Sequence, residues 1–340
     1  MIRAPLTARR LGASVMLASA LLGVVLVGAI VANPRALVHD APQLPARRAV
    51  AALLGRGDDT ARLVIWRFRV PRVVLAAATG AALALAGALL QPVMRNPLAD
   101  PYVLGVSSGA ALGAVLALSI GIRVAGAGPA LLAIVGAALA GLLTFSLARD
   151  DEGRLVGERL VLAGVVLSYL LAAGIMWVVS LAPAAQGQHL LFWLMGSFAS
   201  ASGAQAISVA ACVALCLALV MPFASSVNLL AVSEEHAADA GVAVERVKRG
   251  VFVACSVLVG VAVAAAGSIG FVGLVVPHGV RLALGSDARL SLPLSVLCGA
   301  CFLVVADLLS RALGELPVGV VTATCGAPCF LLLLLRHRAA

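Results

Sequence analysis

Cys298 and Cys301 sit in a C-x-x-C, a spacing at which two thiolates can share a metal ion or exchange a disulfide. The surrounding VLCGACFLVV is apolar and no second ligand pair lies near, so these thiols read as small hydrophobes. The other five cysteines, Cys212, Cys216, Cys255, Cys325 and Cys329, also lie in apolar runs, which argues against a disulfide framework. A phosphate-cradling P-loop ends in Gly-Lys-Ser/Thr, because the lysine must reach the phosphates and the hydroxyl must reach magnesium. The single lysine of this chain, Lys248, stands in Val-Lys-Arg, so ATP cannot be held by that motif. The glycines of GSIGFVG, Gly267 to Gly273, fall three apart, not as G-x-G-x-x-G, and read as a tight re-entrant turn. His278 stands without a nearby nucleophile, base or metal ligand.

The remaining polar chemistry is that of charge pairing. Arg47, Arg48, Arg56, Arg62, Arg67, Arg69 and Arg72 face only Asp58 and Asp59 in their stretch. Such a segment can contact lipid head groups, or it can form bidentate pairs with carboxylates of an acidic protein. SEEHAADAGVAVERVKR, Ser233 to Arg249, predicts a two-turn helix: Ser233 caps it, Glu234 and Glu235 suit its positive start, and Gly241 ends it. That helix is either a solvated loop element or a lever for a partner to push. Arg95 to Pro101, RNPLADP, is a polar break in which prolines stop helix and Asn96 and Asp100 cap exposed backbone. Asp307 and Arg311 are four apart on one helix face and are expected to pair, since an isolated intramembrane carboxylate is costly.

The elements that must position these groups are set by composition. Hydrophobic residues make up 62% of 340 positions and charged ones 11%, so lipid must be the solvent. Ala, Val, Leu and Gly dominate and aromatics are few, which favours an all-α, polytopic membrane protein over a β-barrel with aromatic girdles. A helix needs about 20 apolar residues to cross the hydrocarbon core. That measure gives ten spans: 11–32, 73–92, 102–122, 127–148, 160–182, 205–224, 250–267, 269–284, 291–309 and 318–335. The first apolar run is longer than the core of a cleaved signal, so a retained span is expected. The formal charge of +9 resides at span ends and in short loops, which indicates membrane topology and not nucleic acid. An even count with basic residues at both termini places both in the cytoplasm, together with 93–101, 149–159, 225–249 and 285–290. The basic stretch before Arg72 then lies outside, against the usual charge rule. Gly105, Gly109 and Gly113, and Gly80, Ala84 and Ala88, recur at a spacing that lets helices pack closely. No duplication of the two halves is visible, which weakens an inverted-repeat carrier.

Taken together these segments closely resemble the permease family of type II ABC importers, which move vitamin B12, ferric siderophores and haem. The matching stretches are Arg69 to Arg72 (RVPR), Gly87 to Ala110, Gly270 to Leu282 (GFVGLVVPHGVRL), Ala306 to Arg311 (ADLLSR) and Glu315 to Leu334. The resemblance implies one permease domain of ten helices, a homodimer with the pathway on its axis, two separate ATP-binding subunits and a periplasmic substrate-binding protein. It implies no cofactor on this chain, ATP and magnesium belonging to the partner. Arg69, Arg72 and Arg311 match positions that dock the binding protein. Ser233, Glu234, Glu235, His236, Asp239 and Gly241 match the coupling helix seated in the ATPase. Asn96 and Leu98 match a cytoplasmic gate, with a second gate expected near Gly157 to Arg159. Ser268 stands where the family often has proline and Ala240 where it often has leucine.

The expected function is alternating-access import in the bacterial inner membrane, with ATP hydrolysis in other subunits. The expected cargo is an iron chelate, haem ahead of a ferric siderophore, with cobalamin the alternative. His39 and His189 are the outward histidines that could touch haem iron, although a solvated loop histidine is the plainer reading. A proton-coupled carrier would need mid-membrane ionisable groups, which apart from Asp307 the spans almost lack.

Overall fold

A computed structural model describes residues 8–32, 44–122, 128–150 and 155–337. Fifteen α-helices follow one another: α1 (Ala8–Val31), α2 (Ala46–Leu53), α3 (Asp59–Leu63), α4 (Val70–Val93), α5 (Val106–Ser119), α6 (Gly128–Leu147), α7 (Gly157–Leu181), α8 (Ala184–Leu194), α9 (Gly203–Val220), α10 (Ala224–Val232), α11 (Glu234–Asp239), α12 (Val244–Ala266), α13 (Val272–Leu284), α14 (Ala288–Ala312) and α15 (Val318–His337). Among the described residues no strand forms, and the single β-type contact is a bridge between Arg149 and Leu155.

Among the described residues seven stretches are long and apolar enough to cross a bilayer, and three shorter apolar helices (Val106–Ser119, Val272–Leu284 and Val318–Pro328) stand at the other expected spans. The ten segments read from hydropathy thus each meet a helix. Two boundaries differ. The second span starts at Asp59, not near residue 73, because α3 runs through a π-helical turn (Val64–Arg69) straight into α4. Hydropathy misses that start because Arg62, Arg67 and Arg69 depress it. The exposed Trp66 and Phe68 alternate with those arginines, the composition of a membrane–water interface. The sixth span extends through a 3₁₀ turn at Met221–Phe223 into α10, ending at Val232.

Helix α4 is the axis of the fold. It is almost wholly buried and packs against α9, α12, α13 and α14. Close approach depends on missing side chains: a methyl at Gly80 would strike the carbonyl of Gly299, and one at Gly87 the carbonyl of Gly273. Gly109 and Gly113 of α5 meet the backbone at Gly136 and Leu132 of α6 in the same way, as their spacing predicts. Gly105 does not share that role. Its φ of 77° turns the chain from the 3₁₀ segment Pro101–Leu104 into α5.

Helices α1 and α7 leave broad apolar faces uncovered, with Leu17, Val24, Tyr169, Leu170 and Trp177 all exposed. In water such a surface would be unfavourable by about 25 cal/mol per Å². It suits lipid or another subunit.

Candidate functional site

Arg72, in the first turn of α4, and Arg95, two residues beyond its last, lie 23 residues apart, a rise of about 34 Å. That matches the roughly 30 Å hydrocarbon core. Charged side chains gather at both ends.

At the first end Arg72 is a fork between two acids. Its Nε and Nη2 donate to Asp307 Oδ1 at 3.0 and 2.9 Å, and its Nη1 and Nη2 donate to Glu315 Oε1 and Oε2 at 3.1 and 2.8 Å. Asp307 is only 1% exposed, and Arg311 one turn along α14 comes within 3.2 Å of it. The pairing expected from the four-residue spacing is therefore present, and Arg72 joins it from 235 residues away. Two arginines also satisfy the end of α1, whose last carbonyls have no partner within the helix. Arg311 Nη2 donates to Ala29 O at 3.3 Å, and Arg69 Nη1 donates to Ile30 O at 3.0 Å and Ala32 O at 3.3 Å. Three guanidinium groups thus face two carboxylates, which leaves one positive charge in excess. Glu315 lies in the turn after α14 with φ 61°, and its side chain is 53% exposed. The structure brings Arg69, Arg72 and Arg311 together and adds Glu315, which sequence reading misses because its spacing carries no signal of a partner so far back in the chain.

At the opposite end Ser233 Oγ accepts from the Glu235 N–H at 3.2 Å, and Gly241 closes the motif with φ 81°. The capped short helix is present as read, though it comprises six residues, α11. Its faces differ. Ala237 is fully buried and Glu234 partly so, whereas Glu235, His236 and Asp239 are exposed. Glu234 turns inward, pairing with Lys248 at 2.6 Å and with Arg95 at 3.4 Å.

The break after α4 is built as its residues suggest. Asn96 Oδ1 accepts from Leu98 N at 2.9 Å and Asp100 Oδ1 accepts from Tyr102 N at 2.9 Å. Burial pushes the Asp100 carboxyl up to about 6, the Tyr102 N–H opposing the shift. Leu98 is exposed. Beside this loop a cavity of about 570 Å³ opens between Gln91, Asn96, Asn228, Val232 and Arg281. Gly157 starts α7 within reach of Met94, and Arg159 donates to Arg149 O at 3.2 Å, so the expected second gate segment adjoins the first.

His189 is exposed on α8, while His39 lies outside the described residues. Cys298 and Cys301 are half-buried in α14, and among the described residues no group of three His, Cys, Asp or Glu could hold a metal ion.

The profile of the FecCD transport family matches residues 24–336. The chain is 42% identical over 296 residues to the cobalamin import system permease protein BtuC of Halobacterium salinarum, covering 85% of this chain and 78% of that one. It is 43% identical over 282 residues to the vitamin B12 import system permease protein BtuC of Vibrio cholerae, covering 81% and 83%. Its fold is similar, with a TM-score of 0.82 at 30% identity, to a metal-chelate type ABC transporter solved in an inward-facing conformation, covering 95% of this chain and 98% of that one. The helices, the two charged ends and these relatives agree: the chain belongs to the FecCD transport family and is a multi-span permease of the type II ABC importer kind.

Proposed function

We propose that this chain is the permease of a vitamin B12 importer, working as a homodimer with two ATP-binding subunits and a periplasmic binding protein. The observation that carries the cargo is the 42–43% identity, over more than four fifths of the chain, to two permeases named for cobalamin. The iron-chelate preference taken from sequence rests mainly on how often each cargo occurs in the family, with His39 and His189 only a weak pointer to haem, so cobalamin replaces it. A metal chelate stays the second reading, favoured by the structural relative of that type.

In this reading the two ends of α4 divide the labour. The cluster of Arg69, Arg72 and Arg311 faces the periplasm and receives carboxylates of the loaded binding protein, drawn by its excess positive charge. Helix α11 faces the cytoplasm and seats its exposed edge, Glu235, His236 and Asp239, in the ATPase. ATP-driven closure moves α11, and the segments at Asn96–Leu98 and Gly157–Arg159 open or close the inner mouth. Both termini are cytoplasmic, in the bacterial inner membrane. Affinity for cargo resides in the binding protein, so the permease needs no deep substrate site.

The test is uptake into proteoliposomes holding the permease, its ATPase and its binding protein, with labelled cobalamin, haem and a ferric siderophore supplied separately. ATP-dependent accumulation of cobalamin is expected. Accumulation of an iron chelate with none of cobalamin would overturn the cargo.

A further inference from the structure

We propose that Lys248 is the positioning residue through which α11 drives the start of α7, while Glu234 on α11 reaches the loop after α4 directly. The inference rests on α11 being the ATPase-driven lever and adds the linkage that carries its movement.

Lys248 is the single lysine of the chain, and it is only 4% exposed, in the second turn of α12. A buried ammonium is costly unless its three donors are met. Here it donates to Glu234 Oε2 on α11 at 2.6 Å and to the carbonyl of Leu155 at 3.2 Å, and Glu245 Oε1 on α12 adds a counter-charge at 3.5 Å. Leu155 stands two residues before Gly157, where α7 starts. Its N–H donates to Glu245 Oε2 at 3.4 Å, so its peptide groups are held on both sides by the α12 pair.

Glu234 has a second oxygen, and it is used. Oε1 takes Arg95 Nη2 at 3.4 Å, next to Asn96. Arg95 itself has a φ of 48°, so the chain bends there as α4 gives way to the loop. One carboxylate on α11 therefore reaches the loop after α4 directly and the start of α7 through Lys248. Packing follows the same route, since a small apolar hollow joins Met94, Leu155, Leu160, Lys248 and Phe252.

Helix α11 has six residues, too few to be stable alone, so its position is set by what it touches. Its inner edge touches this node, while its outer edge stays open. The exposed Arg95–Glu234 contact can part cheaply, but a displacement of α11 must either drag Leu155 along or break the Lys248–Glu234 pair. Breaking it would leave Lys248 without its nearest counter-charge in a buried site, so the first course is favoured. Among Glu234 and Glu235, which sequence alone treats alike, only Glu234 transmits. Glu235 faces outward.

The experiment uses the full importer in proteoliposomes with its binding protein, in a background without native cysteines. Uptake, ATP hydrolysis and the maleimide reactivity of Glu158→Cys at the start of α7 are read with and without ATP. Lys248→Met is expected to keep ATP hydrolysis while cargo moved per ATP falls about tenfold, and the ATP-dependent change at Glu158→Cys disappears. Lys248→Arg, which keeps the charge and the carbonyl contact, is expected to restore both. Should Lys248→Met fail to assemble, Glu234→Gln cuts the same ion pair at a partly exposed position. Full coupling in whichever of the two assembles overturns the inference.

Asp239→Lys, on the outer edge of α11, separates this failure from failure of the lever itself. If that variant releases the ATPase while Lys248→Met stays coupled, the linkage alone is wrong. If the ATPase stays bound and fully active on Asp239→Lys, the lever is wrong, and the linkage falls with it.

Discussion

Arg72 is where the docking assignment meets a complication that only the structure exposes. Its guanidinium is already filled by Asp307 and Glu315, with its side chain 14% exposed. Asp307 belongs to the buried frame, because it also pairs with Arg311, whose guanidinium donates to Ala29 O at the end of α1. Glu315 is different: half exposed, in a turn, and able to swing away. A carboxylate arriving on a binding protein must compete with it for Arg72. Glu315→Gln removes the competing charge without changing size, and an exposed ion pair contributes about 0–1 kcal/mol, so binding-protein affinity should rise by up to about fivefold. Surface plasmon resonance on the assembled complex would register it. Weaker docking in Glu315→Gln would mean that Glu315 itself receives the partner. The same crowding changes how the arginines should be probed. Reversing Arg72 or Arg311 would also strand Asp307, whereas Arg69 contacts backbone carbonyls at the end of α1 and is the cleaner position.

Among the elements, α4 carries the sharpest requirement, since its whole length is buried between four other helices. Without a hydrophobic drive between helices in lipid, close backbone contact must supply the stability, and glycine supplies the contact. Gly87→Ala would push a methyl into the Gly273 carbonyl, and overpacking of this kind costs about 1–3 kcal/mol. Gly23 in α1 has open space around its Cα, so Gly23→Ala should be neutral or gain up to about 1 kcal/mol from helix propensity. Thermal unfolding in detergent should therefore fall for Gly87→Ala and hold for Gly23→Ala. Equal midpoints would show that α4 and α13 are not pressed together as described. The element scale was also the most legible in sequence. Runs of about 20 apolar residues, a Ser–Glu–Glu start and a Gly end, and prolines around Asn96 are local signals, and each met its element. The second span was truncated because three arginines outweighed the helix in which they lie. Long-range partners are invisible in sequence, for Arg72 finds Asp307 and Lys248 finds Leu155 only after the helices have packed. Contacts across 90 or more residues leave no trace in spacing.

At the scale of the whole molecule the question is whether this chain can move anything alone. Its charges lie at the ends of α4, about one bilayer thickness apart, and Asp307 is locked between Arg72 and Arg311 at one of those ends. A proton-coupled carrier needs an ionisable group that changes protonation and exposure midway across the membrane. Asp307 is held by two guanidinium groups, and a proton cycle through it would have to break that cluster. Lys248, buried like Arg311, sits beside the lever at the far end. Proteoliposomes holding only this chain, under a pH gradient of either sign and with cobalamin outside, should show no uptake above empty vesicles. Adding the ATPase, the binding protein and ATP should start it. Gradient-driven accumulation by the chain alone would place the energy source inside the permease, and it would remove the need for a lever on α11 and for a dock at Arg69, Arg72 and Arg311.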